Sequence, residues 1–319
     1  MKKTVSAPDV QVRQMGRTRR LARIRTQIPY WVMLLLPLSF FILILYWPMF
    51  GLAIAFQDYK LGDAFISLNS RWAGLKWFKL LLRNPNFGRM VRNTVVLNLL
   101  DICISFPIAI GFALLLNEIR RRKIRTLTAN ISLLPYFIST VVIVAIMVNV
   151  FSMNGGFVNT IIKNLGGKEI NFMGSSEWFR PMYIGSGIWQ TTGFNAVVFT
   201  AAIAGIDPFL YEAAALDGST RLKNIFYITL PCIVPTIIIM LLLRVGNIMT
   251  VGYEKIILMY TPATYEVADV LSTYAYRAGL EDQKFSLSAA ISLINAVTNV
   301  ALLLSANKMT KKFSETSLW

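Results

Sequence analysis

The residues able to do chemistry in this sequence are few, and most of them stand inside apolar runs. The 319 residues include no histidine, so the commonest general base, pH switch and metal ligand is missing. No nucleophile is spaced with a base. The phosphate-cradling pattern Gly-x-x-x-x-Gly-Lys-Ser/Thr is absent, and Gly166-Gly167-Lys168-Glu169 fails it. We therefore expect no catalytic residue, no metal site and no enzymatic activity on this chain. Cys103 and Cys232 both lie in apolar runs and are read as small buried hydrophobes, not as a disulfide or metal pair.

What remains is binding chemistry. Asn98, Asp101, Asn149, Gln190, Asn195, Arg244 and Asn247 interrupt long apolar stretches. A polar group in hydrocarbon is costly, about 2.5–3.5 kcal/mol for a central charge on insertion scales. Such groups should face the protein interior or a wet cavity, which makes Asn149, Gln190, Asn195, Arg244 and Asn247 candidates for a substrate path. Trp189 and Phe194 offer rings that could stack on a sugar. Each polar residue would serve equally as a contact between helices. Asp101 and Arg244 are expected to pair with each other or with a neighbouring subunit.

The elements that must position these groups follow from hydropathy. The chain is 55% hydrophobic and 15% charged, against about 25% charged in soluble domains. A membrane-crossing helix needs about 20 apolar residues. Six runs qualify, over residues 28–57, 93–117, 127–151, 181–206, 231–252 and 285–307. The first is too long for the core of a signal peptide and lacks a small-residue cleavage site. None alternates as a strand does, and no internal repeat is evident. The expected layout is a basic tail (1–27), a first span (28–57), an outer loop (58–92), a five-helix core (93–307) containing a loop at 207–231, and a second tail (308–319).

Lys and Arg near helix ends set orientation. With the N-terminus inside, the inner segments hold 18 basic residues and the outer ones 13. The outer loop 57–92 opposes this with seven of its own, but the clusters Arg17–Arg25 and Arg120–Arg125 are denser. Both termini are therefore expected in the cytoplasm. Basic residues spread over short loops on both faces suit lipid headgroups. No nucleic-acid-binding module stands out.

The inner segment between the fourth and fifth spans reads as helix, break, helix. Asp207 can cap and Pro208 suits the first helical position. Glu212 and Ala213 to Ala215 form helix well. Gly218 is placed for the left-handed conformation that ends a helix, and Ser219 or Thr220 can cap a second helix from Arg221 toward Pro231. A slim helix of this kind can seat in a groove on another protein or serve as a plain connector.

This loop resembles the EAA motif of permease subunits of binding-protein-dependent ABC importers. Glu212-Ala213-Ala214, Gly218 and Ile228-Thr229-Leu230-Pro231 match it in residue type and spacing. The likeness extends over about residues 47–308, through Phe56-Gln57-Asp58-Tyr59, Gly74-Leu75-Lys76-Trp77-Phe78 and Leu134-Pro135-Tyr136-Phe137. It is similar to the subgroup that takes up oligosaccharides or sugar-acid oligomers such as alginate. The resemblance implies an all-α membrane protein of type I importer architecture, with six transmembrane helices and a cytoplasmic coupling helix. It also implies ATPase-coupling roles for Glu212, Ala213, Ala214, Asp217 and Gly218. The implied partners are a second permease subunit, a dimeric ATPase carrying ATP and Mg, and an extracytoplasmic solute-binding protein, all at a bacterial inner membrane. An ion-gradient-driven secondary transporter is the alternative. Asp101 as the one intramembrane acid and the absence of a repeat speak against it. A lipid-acting membrane enzyme would need a catalytic set that the sequence lacks.

Overall fold

The computed structural model of the chain describes residues 27, 29–60, 62–63, 71–250 and 252–313. The basic clusters of the N-terminal tail and the last six residues lie outside the described residues. The described part is helical, with one isolated antiparallel bridge between Gln57 and Trp72.

In chain order the helices are α1 (Pro29–Phe56), α2 (Lys76–Leu82), α3 (Phe87–Glu118), α4 (Arg122–Phe137), α5 (Thr140–Phe151), α6 (Phe157–Asn164) and α7 (Ser176–Ala204). They continue with α8 (Pro208–Leu216), α9 (Arg221–Val245), α10 (Tyr253–Met259), α11 (Tyr265–Ala268), α12 (Leu271–Tyr276) and α13 (Phe285–Phe313). Four of them, α1, α3, α9 and α13, are long and apolar enough to cross a membrane. The number is six if each of two bent pairs is one span. The pair α4–α5 is bent by 95° and the pair α7–α8 by 69°. The expected third span, 127–151, is thus broken. Its chain passes through a tight turn at Pro135 and restarts at Ser139, whose hydroxyl accepts from the Val142 N–H.

Three of the prolines inside the spans are accommodated in a common way. Wide π turns occupy Phe41–Tyr46, Asp101–Ser105 and Ile225–Thr229. The proline follows within two residues of each, as Pro48, Pro107 and Pro231. A proline has no N–H for the carbonyl four residues back. Here the residue just before it donates one carbonyl further back: Trp47 to Ile42, Phe106 to Asp101 and Leu230 to Ile225. The helix widens locally and does not break. Pro231 therefore lies inside a continuous α9, which begins ten residues before the apolar run.

Packing follows small residues and apolar faces. Ala109 and Ala113 of α3 meet Ala196 and Phe199 of α7, with Ile233 of α9 closing the cluster. At Gly193 an added Cβ would stand 2.0 Å from the Ser132 carbonyl oxygen, so α7 crosses α4 at backbone contact. On the other side, Leu97, Ile143, Met147, Phe179, Met182 and Ile256 bring α3, α5, α7 and α10 together. By contrast α1 buries only Ile54 and Ala55 at its end. Cys103 and Cys232 are free and exposed, which corrects the expectation of burial. In a chain whose solvent is lipid, an apolar run identifies the membrane and not the protein interior.

Polar links sort the loops into two sets. At one end the Arg221 guanidinium reaches Glu118 at 3.9 Å. At the other, Asn93 Nδ2 donates to the carbonyls of Glu266 and Asp269, and Ser176 Oγ to that of Ala263. Segments expected on the same membrane face are the ones joined.

Candidate functional site

Two places deserve description as sites: a cavity among the spans and the α8 loop. The cavity has a volume of about 470 Å³. Its walls come from α3 (Asn98, Asp101), α7 (Tyr183, Gln190, Asn195) and α9 (Arg244), with α10 contributing Glu254 and Lys255. Asp101 opens the π turn of α3 and forms an ion pair with Arg244. The Arg244 guanidinium also lies 5.4 Å from the Phe106 ring centroid, an arrangement that favours the cation. Asn98 is fixed by its amide, which donates to the Ile248 carbonyl at 2.7 Å. Tyr136 and Phe194 stack face to face at 3.9 Å on the wall.

Removing one member of the Asp101–Arg244 pair leaves the other charge uncompensated. Fully buried pairs lose about 3–5 kcal/mol in this way. Access to the cavity (side chains 39% and 21% exposed) discounts that toward about 1–3 kcal/mol. We expect Asp101→Leu and Arg244→Leu each to lower the thermal midpoint of the purified protein, and the double variant to melt above both. A double variant no better than the worse single one would show that the pair is not coupled.

Of the expected path residues, Gln190, Asn195 and Arg244 line this cavity. Trp189 lines a different one, about 310 Å³, between α5 and α7. Asn149 and Asn247 turn back onto their own helices, donating to the carbonyls of Ala145 and Leu243. Glu254, Lys255 and Tyr183 were not among the candidates.

Lys255 is the most confined of these. It is 9% exposed, donates from Nζ to the Tyr183 carbonyl at 3.1 Å and stands 5.0 Å from that residue's ring centroid. Burial pushes its ammonium down to about 8, against a smaller upward pull from Asp101. Between that value and its ordinary 10.5, the unfolded chain binds the proton and the folded chain does not. Stability from this group therefore rises with pH across that window, and its cost is full below about 8. Lys255→Met is expected to melt higher than the parent at pH 7, with the gap closing by pH 10. An equal or lower midpoint at pH 7 would contradict this.

The loop is built by its local chemistry. Asp207 Oδ1 accepts from the Phe209 N–H at 3.0 Å and Pro208 opens α8. The helix closes when the Ser219 N–H donates to the Ala214 carbonyl and the Gly218 N–H to that of Ala215. This is the paired-bond stop that needs a left-handed residue, and Gly218 has φ +71°. Thr220 then caps α9 by accepting from the Lys223 N–H. The Tyr211 and Thr229 hydroxyls share a 2.8 Å hydrogen bond that ties α8 to the first turns of α9. No residue of α8 is buried. Phe209, Leu216 and Tyr227 are 73%, 91% and 79% exposed. Glu212, Ala213, Asp217 and Gly218 are exposed and Ala214 is half-buried. Neither Glu212 nor Asp217 has an ion pair among the described residues.

Residues 88–314 match the family described as Binding-protein-dependent transport system inner membrane component. The chain belongs to this family. The permease is 38% identical over 304 residues to the Polygalacturonan/rhamnogalacturonan transport system permease protein YteP of Bacillus subtilis (strain 168), covering 95% of this chain and 94% of that protein. It is 38% identical over 288 residues to Protein LplB of the same organism, covering 90% of each. Its fold superimposes on a chain of a bacterial alginate ABC transporter crystallised with an alginate pentasaccharide-bound periplasmic protein. That match has a TM-score of 0.84, 39% identity, and coverage of 93% of this chain and 99% of that one. A second crystal structure, of a bacterial ABC transporter importing the acidic polysaccharide alginate, gives 0.84 and 40%, with the same coverage. The permease is thus a carbohydrate-uptake ABC transporter subunit, a multi-pass inner membrane protein.

Proposed function

We propose that this chain is one half of the channel of an ATP-driven importer for oligosaccharides or sugar-acid oligomers. It pairs with a second, similar permease subunit across a central path. A solute-binding protein delivers cargo from outside, and two ATPase subunits holding ATP and Mg close on the cytoplasmic side. Both termini are cytoplasmic and six spans cross the membrane, each bent pair counting once. The single observation that carries this reading is α8. It is a capped helix with no buried residue and an apolar end, the carboxylates of Glu212 and Asp217 have no ion pair among the described residues, and it is fastened to α9 through Tyr211 and Thr229. Such a helix fits a groove on a partner and passes displacement into the span it is bonded to. The unburied length of α1 suits a second permease subunit or lipid. The solute-binding partner is supported by the alginate transporter, which was crystallised with its own periplasmic protein.

The test is uptake in proteoliposomes containing the complete complex. Transport that requires Mg-ATP inside and persists when proton and sodium gradients are collapsed supports the reading. Uptake driven by an ion gradient without ATP overturns it.

A further inference from the structure

We propose that Lys255 is the specificity-determining residue of the cavity: its ammonium binds a carboxylate of a sugar-acid oligomer passing through. This rests on the importer reading above and narrows its substrate class.

An ammonium carries three donors. Lys255 spends one on the Tyr183 carbonyl, and it forms no ion pair among the described residues. The nearby acids compensate it only in part. Asp101 is committed to Arg244, and Glu254 is exposed. A buried charge needs a partner. A half-buried cation in this region has one: Arg277 holds both oxygens of Asp269 at 2.8 Å. At Lys255 the place of that partner is open cavity, with Gly187 opposite. A Cβ there would stand 3.8 Å from Nζ, so no wall side chain crowds the ammonium from that direction.

Of the other charged groups lining the cavity, Asp101 and Arg244 pair with each other and Glu254 is exposed. Arg244 is neutralised by Asp101, which leaves Lys255 as the confined cation available to cargo. A carboxylate would meet it in a charge-assisted hydrogen bond, about twice as strong as a neutral one. The amides of Gln190 and Asn195 remain for ring hydroxyls. The depressed affinity of the Lys255 ammonium for its proton fits a group that lacks its anion.

The outer end of the same walls is also cationic. A second cavity of about 470 Å³ is lined by Arg89, Arg92 and Glu266. Arg180 reaches Asn93 Oδ1 at 3.4 Å. The Nε atoms of Arg89 and Arg180 are buried without hydrogen-bond partners. From Arg92 to Asp101 the rise along α3 is about 14 Å. An acidic oligomer would therefore meet basic groups at the rim and again at Lys255.

The experiment uses the complete complex and two probes, a galacturonate trimer and its carboxyl-reduced neutral counterpart. Binding to the detergent-solubilised complex is measured first, before its solute-binding protein is added, and then Mg-ATP-dependent uptake with that protein present. We expect Lys255→Met to weaken galacturonate binding and uptake at least tenfold and to change the neutral probe less than twofold. Lys255→Arg should restore most of the loss. Lys255→Gln replaces the Met variant if the latter does not assemble. Equal effects on both probes, an Arg variant as poor as Met, or a parent complex that binds only the neutral probe would overturn the assignment. Failure of the importer reading shows separately, as galacturonate binding that depends on Lys255 without ATP-dependent uptake by the parent.

Discussion

Gly218→Pro is expected to abolish uptake by the assembled transporter while the solute-binding protein still captures its ligand. Two losses act together. Proline fixes φ near −65° where the chain needs +71°, and it removes the N–H that bonds the Ala215 carbonyl. The stop of α8 fails, and the exit toward Thr220 and α9 is redirected. Gly218→Ala keeps the N–H and meets only the left-handed penalty, about 1–2 kcal/mol, so partial uptake is expected. Comparing initial uptake rates of the parent, Ala and Pro variants checks this. A proline variant that transports at the parent rate would remove the coupling role from this loop.

Asp269→Ala is expected to be the most destabilising single replacement in the segment between α9 and α13. Asp269 is 4% exposed and accepts two bonds from Arg277 and one from the Thr273 hydroxyl, at 2.8 Å each. Arg277 is further seated over the rings of Tyr260 and Tyr265. Truncating the carboxylate leaves a confined guanidinium unpaired, at a cost of about 3–5 kcal/mol. The backbone carbonyl of Asp269 is also held by buried Asn93 of α3, so the disturbance reaches the N-terminal half of that helix. A thermal midpoint unchanged from the parent would contradict this. Replacing Asp269 and Arg277 together with apolar residues should recover part of the loss, because no orphan charge then remains.

Much of this architecture is legible in the sequence because it is set locally. Asp207, Pro208, Gly218 and Thr220 act on their own neighbours, and each takes the role its type and position imply. Hydropathy places the spans because lipid acts on every residue of a run. What it misses depends on contacts between distant segments. Asn149 and Asn247 are exposed, each donates one bond back within a turn, and neither lines the cavity that holds Gln190, Asn195 and Arg244. The cysteines look internal because an apolar run does not say which side faces protein. Lys255 escapes notice because it lies outside the long runs, on a short helix that folds back against α7. One signal was available: Lys255 and Met259 share a face of α10 with no polar residue between Ile256 and Met259. A lysine on an apolar face calls for a buried explanation.

The π turns beside Pro48, Pro107 and Pro231 change how these spans should be drawn. Each houses one residue more than an ordinary turn, which re-clocks the downstream helix by about 100° relative to the upstream half. In α3 the half carrying Asn93 and Leu97 and the half carrying Ala109 and Ala113 therefore do not share one wheel. Projecting the whole span as a single wheel would assign lipid and protein sides wrongly beyond Asp101. In these three spans the extra residue stands just before a proline that orphans a carbonyl. Single-residue length differences between otherwise matching spans should accordingly fall next to prolines, and a gap placed there in an alignment preserves every contact on both sides.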